Sequence, residues 1–210
     1  MALRGRFAAL LDPGRPIGRA AMLGIAAATV LADQLSKWWA FAWLVAADQP
    51  RAGLFWRAAA WDEAGLRAAD PMVLFRHFFE LRYQTNTGAA FSMFEGQTVW
   101  LAIFSAFISL GLLVWGWRLP PREWGLRLPF GLILGGALGN LIDRVRLGQV
   151  VDFILAHWYD HYWPTFNLAD SAVCVGMAWL LLASLLAAPH PAPQAAGAPA
   201  AAPEEPTRSR

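Results

Sequence analysis

The sequence predicts an all-α polytopic membrane protein, four transmembrane helices with a small extracytoplasmic β-rich or interfacial element. Three observations predict it. Of 210 residues, 57% are apolar and only 15% charged, a balance foreign to water-soluble domains. Four apolar runs reach the roughly 20 residues that cross a bilayer. Between them lie segments that mix polar groups with aromatics, among the chain's twelve tryptophans, and such rings suit the membrane interface.

Residues 1–19 carry Arg4, Arg6, Arg15 and Arg19 against Asp12, and read as a basic cytoplasmic anchor. The apolar run Ala20 to Ala47, interrupted only by Asp33 and Lys37, holds a first span over about 20–44. A cleavable signal peptide also starts with basic residues and an apolar stretch, but three more membrane-length runs follow. Gly96 to Trp117 is free of charge and forms the second span. The third, 124–142, carries only Arg127, near one end, where its side chain can snorkel to the interface. The fourth, 167–188, is apolar after Asp170 and stops before the Pro189, Pro191 and Pro193 cluster. Together 20–188 make one four-span domain. The Ala/Pro-rich tail, 189–210, cannot build a core and is expected to be disordered.

Four spans place both termini on one side. The segment 48–95 holds five arginines, but the positive-inside bias is read over short loops. Arg118, Arg122 and Arg127 face only Glu123 in such a loop, which puts both termini in the cytoplasm. The segments 48–95 and 143–166 are then extracytoplasmic, with Trp56, Trp61, Phe78, Phe79, Tyr83, Trp158, Tyr159, Tyr162 and Trp163 as interfacial rings. Within the first, Phe78 to Phe91 is β-compatible, and the Asn and Gly of Thr85-Asn86-Thr87-Gly88 offer turn chemistry for a small hairpin.

A formal charge of +2, with arginines scattered rather than striped, argues against nucleic acid as a partner. A single cysteine, Cys174, excludes an internal disulfide framework, and inside an apolar helix it reads as a small buried thiol. No Gly-x-Ser-x-Gly elbow, Walker loop or dinucleotide turn occurs. His157-Trp158-Tyr159-Asp160-His161 mimics an inverted zinc-protease motif but has Asp in place of Glu and no evident third ligand. No zinc is expected there.

Ionisable residues in or beside membrane spans are costly, so each asks for a partner or a function. Asp33 and Lys37, four apart, share a helix face and can pair. The glycines of Gly135-Gly136-Ala137-Leu138-Gly139 allow close helix packing, and Asn140, Asp143 and Arg144 follow where that helix leaves the membrane. Asp152 stands in the apolar run Val150-Val151-Asp152-Phe153-Ile154-Leu155, where desolvation raises a carboxyl pKa. Asp170 opens the fourth span, where the helix dipole favours a negative charge. Two acids pushed in opposite directions are what acid–base chemistry at a carbonyl requires. The plainer alternative is that Asp170 only caps its helix and Asp152 only pairs with Arg144.

At these residues the chain resembles the bacterial lipoprotein signal peptidases, the type II signal peptidase family of intramembrane aspartyl proteases. The resemblance rests on Asp33-Gln34-Leu35-Ser36-Lys37, Asn86-Thr87-Gly88-Ala89-Ala90-Phe91-Ser92, Gly135 through Arg144, Val150-Val151-Asp152-Phe153 and Phe166-Asn167-Leu168-Ala169-Asp170-Ser171, in the family's order. It implies a peptidase domain over 20–188 in the bacterial inner membrane, with the active site at the extracytoplasmic face. Such an enzyme removes the signal peptide of diacylglyceryl-modified prolipoproteins, cutting before the lipidated cysteine. It implies Asp152 and Asp170 as catalytic, Asn86, Gly88, Asn140, Arg144 and Asn167 as lining the site or binding substrate, and Asp33 and Lys37 as supports; Asp143, by its place at the same helix end, is expected to support the site as well. It further implies membrane lipids and globomycin-type cyclic peptides as ligands, and no cofactor. The chain departs from the family in a longer 48–71 segment. Two rivals are distinguishable. A proton-coupled transporter would spread its acids through the membrane depth, and a passive scaffold would give no reason for an isolated Asp152.

Overall fold

A computed structural model describes residues 17–45, 70–89, 93–119 and 124–186. The basic segment before Ile17, most of the 48–71 insertion with Trp56 and Trp61, the motif residues Ala90, Phe91 and Ser92, and the 189–210 tail lie outside the described residues. In chain order the elements are α1 (Ile17–Leu44), β1 (Met72–Phe75), β2 (Phe79–Asn86), α2 (Thr98–Arg118), α3 (Trp124–Leu147), β3 (Val150–Trp158), β4 (His161–Tyr162) and α4 (Leu168–Leu186).

Thr98–Arg118, Gly125–Leu147 and Leu168–Leu185 are long and apolar enough to cross a membrane. The 28-residue α1 is longer, but its polar stretch Asp33-Gln34-Leu35-Ser36-Lys37 leaves it outside that group. Length and hydropathy thus support three of the four expected spans.

The centre of the bundle is α3, which packs against α1, α2 and α4. Glycine makes this possible. A Cβ built on Gly131 would lie 2.8 Å from Ile25 Cβ, one on Gly135 would lie 2.5 Å from Thr29 Cβ, and one on Gly139 would lie 2.6 Å from Asp33 Oδ2. Each step of four on α3 meets a step of four on α1, so the two helices run parallel in register. On the other side Gly136 abuts the Ala169 carbonyl and Gly176 abuts Ile133, so α4 runs antiparallel to α3. Overpacking a close helix contact costs about 1–3 kcal/mol. Gly135→Val is therefore expected to lower the thermal midpoint in detergent by about 5 °C or more. An unchanged midpoint would mean that α1 and α3 do not touch there.

Arg127 corrects one expectation. Rather than snorkelling outward it is buried, and its guanidinium donates to the Leu119 carbonyl at 3.2 Å, because the last carbonyls at the end of α2 lack intrahelical partners and accept from it. At the same end Arg19 lies over the Trp117 ring, 4.9 Å from its centroid.

At the opposite end a four-stranded antiparallel sheet, order β1-β2-β3-β4, caps the bundle. Its inner face, with Leu81, Tyr83, Val151 and Phe153, buries Phe41, Leu44 and Val45 from the end of α1. The expected hairpin around Thr85–Gly88 does not form. Strand reversal occurs at Arg76–Phe78, with His77 at φ 70°, and β2 pairs over its length with β3, Asn86 opposite Val150 and Gln84 opposite Asp152. Asn86 does make a turn, accepting from the Gly88 N–H at 2.8 Å, but this ends the strand without folding it back. Helix α3 also continues past 142 to Leu147. Gly148, at φ 72°, stops it in the left-handed conformation, donating to the Arg144 carbonyl at 3.1 Å, and the chain enters β3 two residues later.

Candidate active site

Asn167 is the N-cap of α4. Its Oδ1 accepts from the Asp170 N–H at 2.9 Å, and Asp170 Oδ2 in turn accepts from the Asn167 N–H at 3.2 Å. This is a reciprocal capping box with an acid in the third helical position. Asp170 does cap its helix, as the plainer alternative supposed, but that occupies Oδ2. Its Oδ1 accepts from Asn140 Nδ2 at 2.8 Å.

Asp152 sits on β3 opposite Gln84 and is 3% exposed. Asn167 Nδ2 donates to its Oδ1 at 2.8 Å and Asn86 Nδ2 to its Oδ2 at 3.3 Å. Burial pushes the carboxyl up to about 7, and the Asp170 charge pushes in the same direction. The Lys37 charge and the hydrogen bonds from Asn86 and Asn167 oppose this without cancelling it. Asn167, fully buried, thus touches both acids, one through its side chain and the other through its backbone.

Asn140 joins the two halves. Its Oδ1 accepts from Asn167 Nδ2 at 3.1 Å and from Lys37 Nζ at 3.0 Å. With two donors on that side, the amide must turn its Nδ2 toward Asp170. Lys37 also contacts Asp33 Oδ2 at 2.9 Å and Asp143 Oδ2 at 2.8 Å, and all three charged side chains have no solvent exposure. The remaining carboxylate capacity is used as well. Asp33 Oδ1 accepts from the Ala169 N–H at 3.0 Å, and Asp143 from Gln34 Nε2 at 2.9 Å and the Val151 N–H at 3.3 Å. The triad therefore ties α1, α3, β3 and the start of α4 together behind the two acids.

A loop closes the other side. Arg144 donates to the Gly88 carbonyl at 2.9 Å. A Cβ on Gly88 would lie 2.7 Å from the Met93 carbonyl, so only glycine fits this crossing of the chain. Among the described residues no ion pair joins Arg144 to Asp152. In place of the expected pairing, one guanidinium nitrogen of Arg144 holds the loop, while its charge still acts on Asp170 and Asp152 from beyond contact distance.

All the residues singled out in the sequence, Asp33, Lys37, Asn86, Gly88, Asn140, Asp143, Arg144, Asp152, Asn167 and Asp170, fall in one connected network. Two others stand apart. Cys174 is exposed rather than buried, since α4 turns most of its surface away from the bundle. His157, of the zinc-like pentapeptide, lies 3.4 Å from Glu80 and places Nδ1 2.9 Å from the Tyr159 carbonyl. Sequence reasoning missed Gln34, which bridges Asp143 and the Gly139 carbonyl. It stands inside the block Asp33–Lys37, one residue from an acid, and an amide within an apolar membrane-length run is the available signal.

Chemically, the arrangement holds two carboxyl groups around a shared asparagine, one of them raised toward neutrality and both at the end of the bundle capped by the sheet. Such a pair can carry one proton and hold a water for attack on a carbonyl.

Comparisons with known proteins agree on the relatives. Residues 25–186 match the family model described as Signal peptidase (SPase) II. The lipoprotein signal peptidase of Teredinibacter turnerae is 49% identical over 112 residues, 51% of this chain and 67% of that protein. That of Syntrophotalea carbinolica is 42% identical over 144 residues, 67% of this chain and 84% of its own. A solved bacterial membrane enzyme, determined by the in meso method at 2.3 Å resolution, superposes with a TM-score of 0.62 at 27% identity, covering 79% of this chain and 88% of that one. A family match over most of the chain, with relatives above 40% identity, means that this protein belongs to the signal peptidase II family of peptidases.

Proposed function

We propose that this chain is an intramembrane aspartyl endopeptidase that removes the signal peptide from diacylglyceryl-modified prolipoproteins, cutting just before the lipidated cysteine. The observation that carries the reading is the pair Asp152 and Asp170, held on either side of Asn167 in a chain of this family. Asp152 holds the pair's proton at rest and polarises the scissile carbonyl. Asp170, at the positive end of α4, takes a proton from the attacking water. Asn140 and Asn167 hold the carboxyl oxygens in place. Arg144 and Gly88 shape the loop beside them.

Four spans follow if α1 crosses with α3, and the parallel register from Ile25 opposite Gly131 to Asp33 opposite Gly139 favours this. The arginines at 118, 122 and 127 then set that end, and both termini, in the cytoplasm of a bacterial inner membrane. The two acids lie at the extracytoplasmic face, where a substrate anchored by its acyl chains brings its cleavage site. A globomycin-type cyclic peptide would compete for the same cleft.

The test is cleavage of a diacylglyceryl-modified prolipoprotein by the purified protein, with and without such a peptide. Cutting before the cysteine, blocked by the inhibitor, supports the reading, and an intact substrate overturns it. The pH profile is a second measure. If Asp152 is the acid, kcat falls about tenfold per pH unit above about pH 7, as its carboxyl ionises. A rate that stays flat to pH 9 would place the proton elsewhere.

A further inference from the structure

On β2 the side chains alternate. Leu81 and Tyr83 enter the core, while Arg82, Gln84 and Asn86 occupy the other face. That face floors a trough of about 560 Å³ that runs on from Asp152 and is walled by Tyr162 through Thr165. The Thr165 hydroxyl closes the wall by donating to Gln84 Oε1. Charge is divided along the trough. Asp152 and Glu95 stand at the end near the paired acids, where the Glu95 N–H is packed against Gly88. Arg82 is the one cation among the described lining residues, exposed, two residues beyond the Gln84 that faces Asp152.

The molecule's second large groove differs in kind. It has a volume of about 870 Å³, lies between α1, α2 and α3, and is lined almost wholly by leucine and alanine, Leu23, Ala26, Leu110 and Leu138 among them. A substrate that is apolar before the cleavage site and hydrophilic after it suits a polar trough only with its second part.

We propose that this trough binds the hydrophilic segment following the scissile bond, and that Arg82 selects an acidic side chain two or three residues past the cut. This rests on the peptidase reading above. The spacing follows from the chain. Arg82 lies two residues along β2 from Gln84, the partner of Asp152, across the irregularity in the β2–β3 register between Leu81 and Gln84, a reach of at most roughly 7 Å, the span of about two residues of an extended peptide. An acid there meets a positive charge, whereas a lysine meets none of opposite sign until the Glu95 end.

The experiment uses two synthetic peptides with a diacylglyceryl-cysteine, identical except for Asp or Lys at the second and third residues after the cut. They are cleaved by the wild-type, Arg82→Gln and Arg82→Glu proteins. The wild type is expected to process the Asp peptide about fivefold faster in kcat/KM, the size of one solvent-exposed ion pair, with the advantage shrinking in high salt. Arg82→Gln should abolish the preference and Arg82→Glu reverse it. Equal rates on both peptides by the wild type, or a preference that survives Arg82→Glu, overturns the assignment while leaving the peptidase reading intact. If the wild type cuts neither peptide, the peptidase reading fails and the trough with it.

Discussion

Asp152→Asn is expected to fold at least as well as the wild type at neutral pH while losing at least ~10³-fold in kcat, the scale of removing an acid–base group. The two effects have one origin. Asp152 is held in a site where burial and the neighbouring Asp170 disfavour its charge, so its carboxyl titrates near 7 instead of near the usual carboxylate value. The folded state therefore binds more protons than the unfolded chain between about pH 4 and pH 7. The sign follows. Stability from this group is fully present below about pH 4 and is lost as the pH rises through about 7. An amide cannot ionise, yet its oxygen can still accept from Asn167 or Asn86. Asp152→Asn should thus flatten the decline of thermal midpoint across that window and raise the midpoint at pH 8, by roughly 2–4 °C for each kcal/mol recovered. Asp170→Asn should be as inactive without this gain, because Asp170 closes a capping box whose loss costs about 1 kcal/mol. A folded Asp152→Asn protein with near-normal turnover would remove it from the reaction. One that is dead but less stable at pH 8 would show that its charge is welcome where the geometry says it is not.

The extent to which this site was legible depended on the range of the signal. Asp152 declared itself locally, since an acid with Val150, Val151, Phe153, Ile154 and Leu155 around it is buried however the strand pairs, and these neighbours are buried. The Asp33–Lys37 pair was legible for the same reason, a spacing of four on a helix. The second partner of Lys37 was not. Asp143 is more than a hundred residues away, and only the glycine-mediated contact of α1 with α3 brings it to 2.8 Å. The sheet failed in the same way. Turn residues at Asn86 and Gly88 predict a hairpin, but β2 finds its partner in β3 beyond two helices, and no local rule contains that pairing. Cys174 is exposed and Arg127 buried, against expectation, because composition says that a helix is apolar without saying which face the bundle uses. The family-like motifs were informative because each lies where chain segments cross, Gly88 under Arg144, Gly139 against Asp33, and Asn167 between two carboxylates.

Lys37→Met should cost about 3–5 kcal/mol, the penalty of stranding buried charge, and should abolish activity even where the protein folds. The lysine stands between Asp33 and Asp143, all three without exposure. With it gone, two carboxylates face each other in a dry interior, with Gln34, Ala169 and Val151 to donate to them and a long 3.9 Å ion pair from Arg146 to Asp143 as the cation left in contact among the described residues. Adding Asp143→Asn to Lys37→Met removes one of those charges and should restore much of the thermal midpoint. It should not restore turnover, and that split separates a positioning role from a merely structural one. Lys37 Nζ is one of two donors that fix Asn140 Oδ1. Without it the amide can rotate, and rotation withdraws the Nδ2 donor from Asp170 Oδ1 and presents an oxygen to a carboxylate instead. The pair's proton then moves, so any residual activity should peak at a shifted pH. Lys37→Arg offers a control, since it keeps the charge but cannot place a compact ammonium among three acceptors. A double variant that is folded and fully active with an unaltered pH profile would mean that Asn140 is oriented by Asn167 alone and that Lys37 only neutralises its two acids.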